Sequence, residues 1–159
     1  MPDIAPKPVC VSSAEFTHLV LPPDTNALGT IFGGRIMEWV DIAASIVASR
    51  HCRKVTVTAS MDALSFLAPV KVGDIVILKA AVNYAHKTSM EIGVRVESEN
   101  PLTGERRHTS SAYLTFVGLD ESGKPTEVPP VLPQNDDEKR RYQEGEARYQ
   151  ERRKKRTKS

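Results

Sequence analysis

The sequence lacks most of the residues that common catalytic routes depend on. Only two cysteines, Cys10 and Cys52, occur in 159 residues, and they form no CxxC pair or other metal-ligand spacing. A disulfide scaffold and a zinc ribbon are therefore excluded, and two reduced, partly buried thiols are expected. The histidines His18, His51, His86 and His108 are scattered without an HxxxH or HxH pair, so no metal is expected. No GxSxG turn is present to present a nucleophilic serine. Charge of one sign is not in excess: the formal net charge is +2, too small to call for a nucleic-acid partner. The longest apolar runs are far shorter than a membrane span, and the opening MPDIAPKPVC has no apolar leader, so a cytoplasmic location is expected.

What remains is the composition of an ordinary globular domain, 40% hydrophobic and 26% charged, long enough to bury a stable core. The proline-rich stretch EVPPVLP, Glu127 to Pro133, marks a boundary between a body, residues 1–133, and a charged tail, residues 134–159. The tail ends in a basic cluster from Arg152 to Lys158 and is expected to be partly helical or disordered. Glu144 with Arg148 and Glu151 with Lys155 are i,i+4 pairs that favour a solvated helix, and Tyr142 and Tyr149 could pack one seam onto the body.

Periodicity divides the body. Val9 to Leu21 reads as an extended strand that breaks at Pro22-Pro23, and DTNALG, Asp24 to Gly29, has turn chemistry. A helix should start at Gly33-Gly34. On a helical projection Ile36, Val40, Ala43, Ala44 and Val47 share a face, Trp39 and Ile46 flank it, and Ile42 interrupts the polar side. A helix apolar around most of its circumference is a buried one. Strands follow at VTVTASMD, IVILKAAVNYA, MEIGVRVE and HTSSAYLTFV, with Val55, Val57, Ala59 and Met61 expected on one covered face of the first. The connections APVKVGD, HKT and NPLTG are too short for parallel crossovers, so the strands should pair antiparallel. The fold class is therefore α+β, with a five- to six-stranded antiparallel sheet curled around a long central helix. Its open edges invite pairing with another copy, and a homodimer is expected.

One carboxylate stands out on that helix. Asp41 falls at the edge of the apolar arc beside Met37, Ala44, Ser45 and Ala48. A buried carboxylate is costly unless it is paired or protonated. Local chemistry alone leaves each neighbouring feature open. Asn26 suits a turn, Gly33-Gly34 suits close packing, Lys87-Thr88-Ser89 suits a hairpin, and Glu38 suits the surface. Asp62 and Ser65 lie near a strand end, within reach of a ligand bound there.

The combination of LPPDTNALGTIFGGRIMEWVDIAA with PVKVGD and KTSMEI resembles the hot-dog-fold acyl-CoA thioesterases, specifically the cytosolic acyl-CoA hydrolase group, over roughly Glu15 to Asp120. The tail is similar to that of the group's two-domain members. The resemblance implies hydrolysis of fatty acyl-CoA to fatty acid and CoA, with no cofactor beyond the CoA of substrate and product. It implies that Asp41 is the base or nucleophile, that Asn26 contributes from the facing hot dog, and that Gly34 offers its N–H to the thioester carbonyl. Gly33, Lys87, Thr88 and Ser89 would contact CoA, and a trimer of dimers is the implied assembly. With one hot dog per chain, two copies must meet. The helix has no histidine before His51, which argues against dehydration chemistry. The alternative is a non-catalytic acyl-CoA-binding or regulatory hot dog.

Overall fold

The computed structural model describes residues 4–62 and 64–158. The apolar arc forms helix α1, Gly33–Cys52. Five strands wrap it: β2 Ala14–Leu19, β3 Val55–Asp62, β4 Ile75–His86, β5 Ser89–Glu99 and β6 Arg106–Leu119. They run antiparallel in the order β2-β4-β5-β6-β3, so β2 and β3 are the free edges. A short parallel pair, β1 Lys7–Pro8 with β7 Val131–Leu132, ties the N-terminal segment to the stretch that follows the sheet. Ile36, Val40, Ala44 and Val47 of α1 are fully buried with Leu78, Ile92 and Leu114 of the sheet. This is the curled sheet around a central helix that the patterning predicts and that the resemblance identifies as a hot-dog fold, a helix forming the core of its own sheet.

Three local expectations are corrected. Extended structure begins at Ala14 rather than Val9, because Val9–Val11 is a 3₁₀ turn, and Cys10 on it is exposed while Cys52 is buried. β3 does not pair with β4, its neighbour in sequence. It lies at the far edge beside β6, and the connection crosses the start of α1, where Leu67 N–H donates to Thr109 at 2.8 Å and Ile31 N–H to Val70 at 2.8 Å. The faces of β3 are also reversed. Val55 and Val57 point outward, 68% and 44% exposed, while Thr58 lies opposite the buried Phe116 on the helix side. An unpaired residue, Ala59, then shifts the register by one, so Met61 faces inward opposite Leu114 and Asp62 outward opposite Tyr113.

The charged segment forms α2, Asp136–Thr157, on the outer face of the sheet. Asn135 caps it by accepting from Glu138 N–H at 2.9 Å, and Glu138 reaches back to Gln134 N–H at 2.7 Å. Gly145 lets the helix approach closely: a Cβ there would stand 2.8 Å from Glu91 Oε2 and 3.0 Å from Tyr84 Cβ. Arg148 grips the buried Glu91 with two hydrogen bonds, 2.7 and 2.9 Å, and lies over the Tyr113 ring at 3.7 Å. The Glu91 contact holds the guanidinium pKa above its ordinary value. Tyr84 packs against Tyr142 and Tyr149, and burial pushes the Tyr84 and Tyr142 phenols up.

At the other end of α1, the fully buried His51 bonds through Nε2 to the Pro129 carbonyl at 2.8 Å, holding the linker that leads to α2. Lys7 Nζ donates to the His51 carbonyl at 2.8 Å. The other ring nitrogen, Nδ1, has no hydrogen-bond partner among the described residues. Burial lowers the pKa of this histidine below its usual 6.5, against the raising influence of the Pro129 bond.

Candidate active site

The sequence between the first strand and α1 folds into a clipped turn. Asp24 accepts from Leu21 N–H at 2.9 Å and pairs with Arg35 at 3.2 Å, and its carbonyl accepts from Phe32 N–H at 2.9 Å. Asn26 organises the tip: its Oδ1 accepts from Leu28 N–H at 2.9 Å and Thr30 N–H at 3.2 Å, while Nδ2 donates to Thr30 Oγ1 at 2.9 Å. One amide hydrogen of Asn26 is left for another acceptor.

This turn delivers the chain to an uncapped helix start. The residue before α1 is Phe32, whose side chain offers no oxygen to the first N–H groups, while its carbonyl accepts from Arg35 and Ile36. The Gly33 and Gly34 N–H groups have no acceptor within the helix, and the macrodipole adds about half a positive charge there. Around Gly34 a Cβ would meet nothing within 4 Å, whereas Gly33 is covered by the Phe66 ring at 3.2 Å. An apolar recess of about 290 Å³ adjoins this point, lined by Thr30, Ile31, Ile36, Phe66 and Val70 among others.

Asp41 is half-buried two turns further on, about 10 Å from Gly34 by helical rise. Thr58 Oγ1 on the free edge strand β3 donates to Asp41 Oδ1 at 2.8 Å. Among the described residues the carboxylate has no ion pair; a single hydroxyl orients it at the sheet edge, where solvent reaches it. Thr58 was not singled out from the sequence, because the alternation of β3 assigns its threonines to the outer face. Glu38 is an exposed partner of Arg35 at 3.0 Å. Asp62 pairs with Arg152 at 2.9 Å on the outer face, away from Asp41.

Lys87, Thr88 and Ser89 stand elsewhere. They turn the β4–β5 hairpin, with Lys87 in the left-handed region at φ 53°. The Lys87 carbonyl accepts from Val128, in the linker that His51 holds, so this hairpin lies at the C-terminal end of α1. His86 packs against Tyr149, with ring centres 4.6 Å apart and planes tilted by 37°. The helix from Gly34 to Cys52, about 27 Å of rise, separates that end from Gly34. One chain therefore joins Asn26 with Gly33 and Gly34, and separately Asp41 with Thr58, but not these two groups with the hairpin. Among the described residues no cluster of histidine, cysteine or carboxylate could hold a metal, and no helix is long and apolar enough to cross a membrane.

Comparison with known proteins places these residues in context. The sequence profile of the Thioesterase superfamily matches residues 28–105. An uncharacterised acyl-CoA thioester hydrolase of Bacillus subtilis, YkhA, is 48% identical over 77% of this chain and 71% of its own. The crystal structure of an apo-hexameric acyl-CoA thioesterase superposes with a TM-score of 0.92 at 47% identity, over 96% of this chain and 97% of that one. A Staphylococcus aureus acyl-CoA hydrolase, solved with butyryl coenzyme A, coenzyme A and coenzyme A disulfide, gives 0.89 at 38% identity, over 96% and 93%. In further structures of that hydrolase an asparagine, an aspartate or a threonine is replaced by alanine. The asparagine lies 15 residues before the aspartate and the threonine 17 after it. Asn26, Asp41 and Thr58 have the same spacing. By contrast, the chain spans only 23% to 38% of the length of the rodent and human relatives it matches.

Proposed function

The chain belongs to the thioesterase superfamily, and from that premise we propose that it hydrolyses fatty acyl-CoA to a free fatty acid and CoA. The observation that carries the residue assignment is the Asp41–Thr58 hydrogen bond at a free sheet edge, at the spacing of the residues replaced in the S. aureus hydrolase. Thr58 fixes one carboxylate oxygen and leaves the other for water. Asp41 takes a proton from that water, the water oxygen bonds to the thioester carbon, and the C–S bond breaks to release CoA thiolate, which is then protonated. Direct attack by Asp41, through an anhydride that water opens, is the competing order of events. The developing oxyanion is met by the Gly34 N–H, a donor worth roughly 10²–10³ in rate, and the acyl chain enters the apolar recess beside Phe66.

Asp41 and the Gly34 of its own helix are too far apart to serve one carbonyl. Each site therefore takes Asp41 and Thr58 from one copy, and Gly34 and Asn26 from another paired along the β3 edge. Such pairing is also what brings Gly33 and the hairpin of Lys87, Thr88 and Ser89 to one CoA. A homodimer, assembled further as a trimer of dimers, fits the hexameric state of the similar thioesterase.

Release of free CoA from substrates of increasing acyl length tests the activity. Asp41→Ala should lower turnover at least about 100-fold, the scale of a lost general base. Mixing folded Asn26→Ala and Asp41→Ala chains should restore activity in one site of each mixed pair. Tight acyl-CoA binding without CoA release would overturn the enzyme in favour of a binding protein, and mixing without recovery would overturn the shared site.

A further inference from the structure

Helix α2 crosses the outer face of the sheet from one edge to the other. Arg140, Arg141 and Glu144 line a groove with Ala14 and Glu15 of β2. Gly145 then sits against β4 and β5, Arg148 against Glu91 and Tyr113, and Arg152 against Asp62 of β3. From Arg140 to Arg152 the helix advances about 18 Å, matching the roughly 19 Å that separates the outermost of five strands. It does not stop at that edge. Five more residues, to Thr157, carry it about 7 Å beyond Asp62, more than one strand spacing. The docking face of Tyr149 and Arg152 continues there into Arg153 and Arg156, both exposed on the final turns.

The edge so overshot is unfinished. Val55 and Val57 lie on its outer face, 68% and 44% exposed. Val55 pairs with Leu119, which leads directly into the exposed Asp120 and Glu121. Glu121 makes no ion pair among the described residues, and Lys54 at the same corner is turned to the Glu127 carbonyl at 2.6 Å. Arg53 and Lys54 line the same corner as these acids, and Asp120 Oδ1 accepts from the Ser122 and Lys124 N–H groups at 2.9 Å, leaving its second oxygen and Glu121 outward. When a second copy pairs its β3 antiparallel to this one, the Asp62 end of one strand lies beside the Val55 end of the other. The basic end of α2 then arrives over valines flanked by carboxylates.

We propose that the basic C-terminal end of α2 is a strap onto a second copy, with Arg153 and Arg156 facing that copy's Asp120 and Glu121 and their alkyl stems covering Val55 and Val57. Twofold symmetry makes two straps per pair. Lysines and arginines here also suit the helix dipole, but that role asks for no acidic landing site. The strap rests on the β3-edge dimer of the shared active site, and the test separates the two.

Two variants are made in the full chain, Arg153→Glu with Arg156→Glu, and Glu121→Lys. Alone, the first should weaken assembly about tenfold or more at low salt, and the second several-fold. Mixed, they place opposite charges at both straps of every mixed pair, so native mass spectrometry should find the two chains in equal numbers within each assembly. Native-like sedimentation of both variants with random mixing would overturn the strap. So would a charge effect seen only in binding to phosphatidylserine vesicles, which would assign the basic end to a membrane surface. A native chain monomeric at every concentration would overturn the β3-edge dimer itself.

Discussion

Helices α1 and α2 are nearly equal in length, 20 and 22 residues, and lie on opposite faces of one sheet, yet different physics holds each. α1 is held by volume: from Ile36 to Ala48 its buried positions are Ile, Val and Ala packed on the aliphatic inner strands. α2 buries only Gly145 and is held by geometry, a bidentate arginine, a close backbone approach and a tyrosine cluster. The lesson is that a sheet face can be covered by charge as completely as by hydrocarbon, provided each charge is met.

The contrast is testable by damaging each helix in its own currency. Ile36→Ala on α1 should cost about 2–5 kcal/mol in denaturant unfolding, the range for a fully buried aliphatic truncation. A loss spread over the whole sheet in hydrogen exchange is expected. Arg148→Ala on α2 should cost about 1–3 kcal/mol, because Glu91 loses two charged hydrogen bonds while still beneath the helix. Here the lost protection should be confined to α2; a global loss would show that the outer helix is part of the core after all. Gly145→Ala decides by sign. On an open helix the change would stabilise by up to about 1 kcal/mol, but crowding against Glu91 and Tyr84 should make it mildly destabilising. A gain would mean that α2 rides higher than its contacts indicate.

The smallest effect belongs to the place where the two helices are joined. His51 has a folded pKa below 6.5, so the unfolded chain binds the extra proton first. Its contribution to stability is complete above pH 6.5 and is lost as pH falls through the lowered folded value. Replacing it by glutamine should flatten the thermal stability profile across that window. An unchanged acid slope would assign the dependence to carboxylates instead.

Much of α1 and its sheet was legible because 3.6- and 2-residue periods survive in the sequence. The apolar arc from Ile36 to Val47 and the alternation of Met90, Ile92, Val94 and Val96 both report burial directly. The misreadings occur where the period is interrupted or the partner is polar. β3 reads as a valine face inward, but its valines point outward and a bulge resets the phase. Thr58 was therefore hidden while Asp41, conspicuous on an apolar helix, was not. The docking of α2 was half visible: Tyr142 and Tyr149 form the expected seam against Tyr84 and His86, but Gly145 and Arg148 look like a solvated surface until Glu91 is found beneath them. Asn26 was visible as a turn residue, and the turn is what its side chain makes; the hydrogen it has left over appears only in three dimensions.

The single unpaired residue in β3 constrains how this chain can change over time. Upstream of Ala59 the strand addresses the central helix through Thr58, and downstream it addresses the outer helix through Asp62. Substitution at Ala59, an exposed position, leaves both halves in phase. Deletion would join Thr58 to Ser60 in a regular ladder with the same partners, Phe116 and Thr115, so Met61 and Asp62 would keep their faces. Drawing Ala59 into the ladder would instead turn Met61 outward and Asp62 inward, putting a carboxylate into hydrocarbon at a cost of several kcal/mol. Natural variation at this point should therefore tolerate replacement or loss of Ala59, but not its pairing with the neighbouring strand.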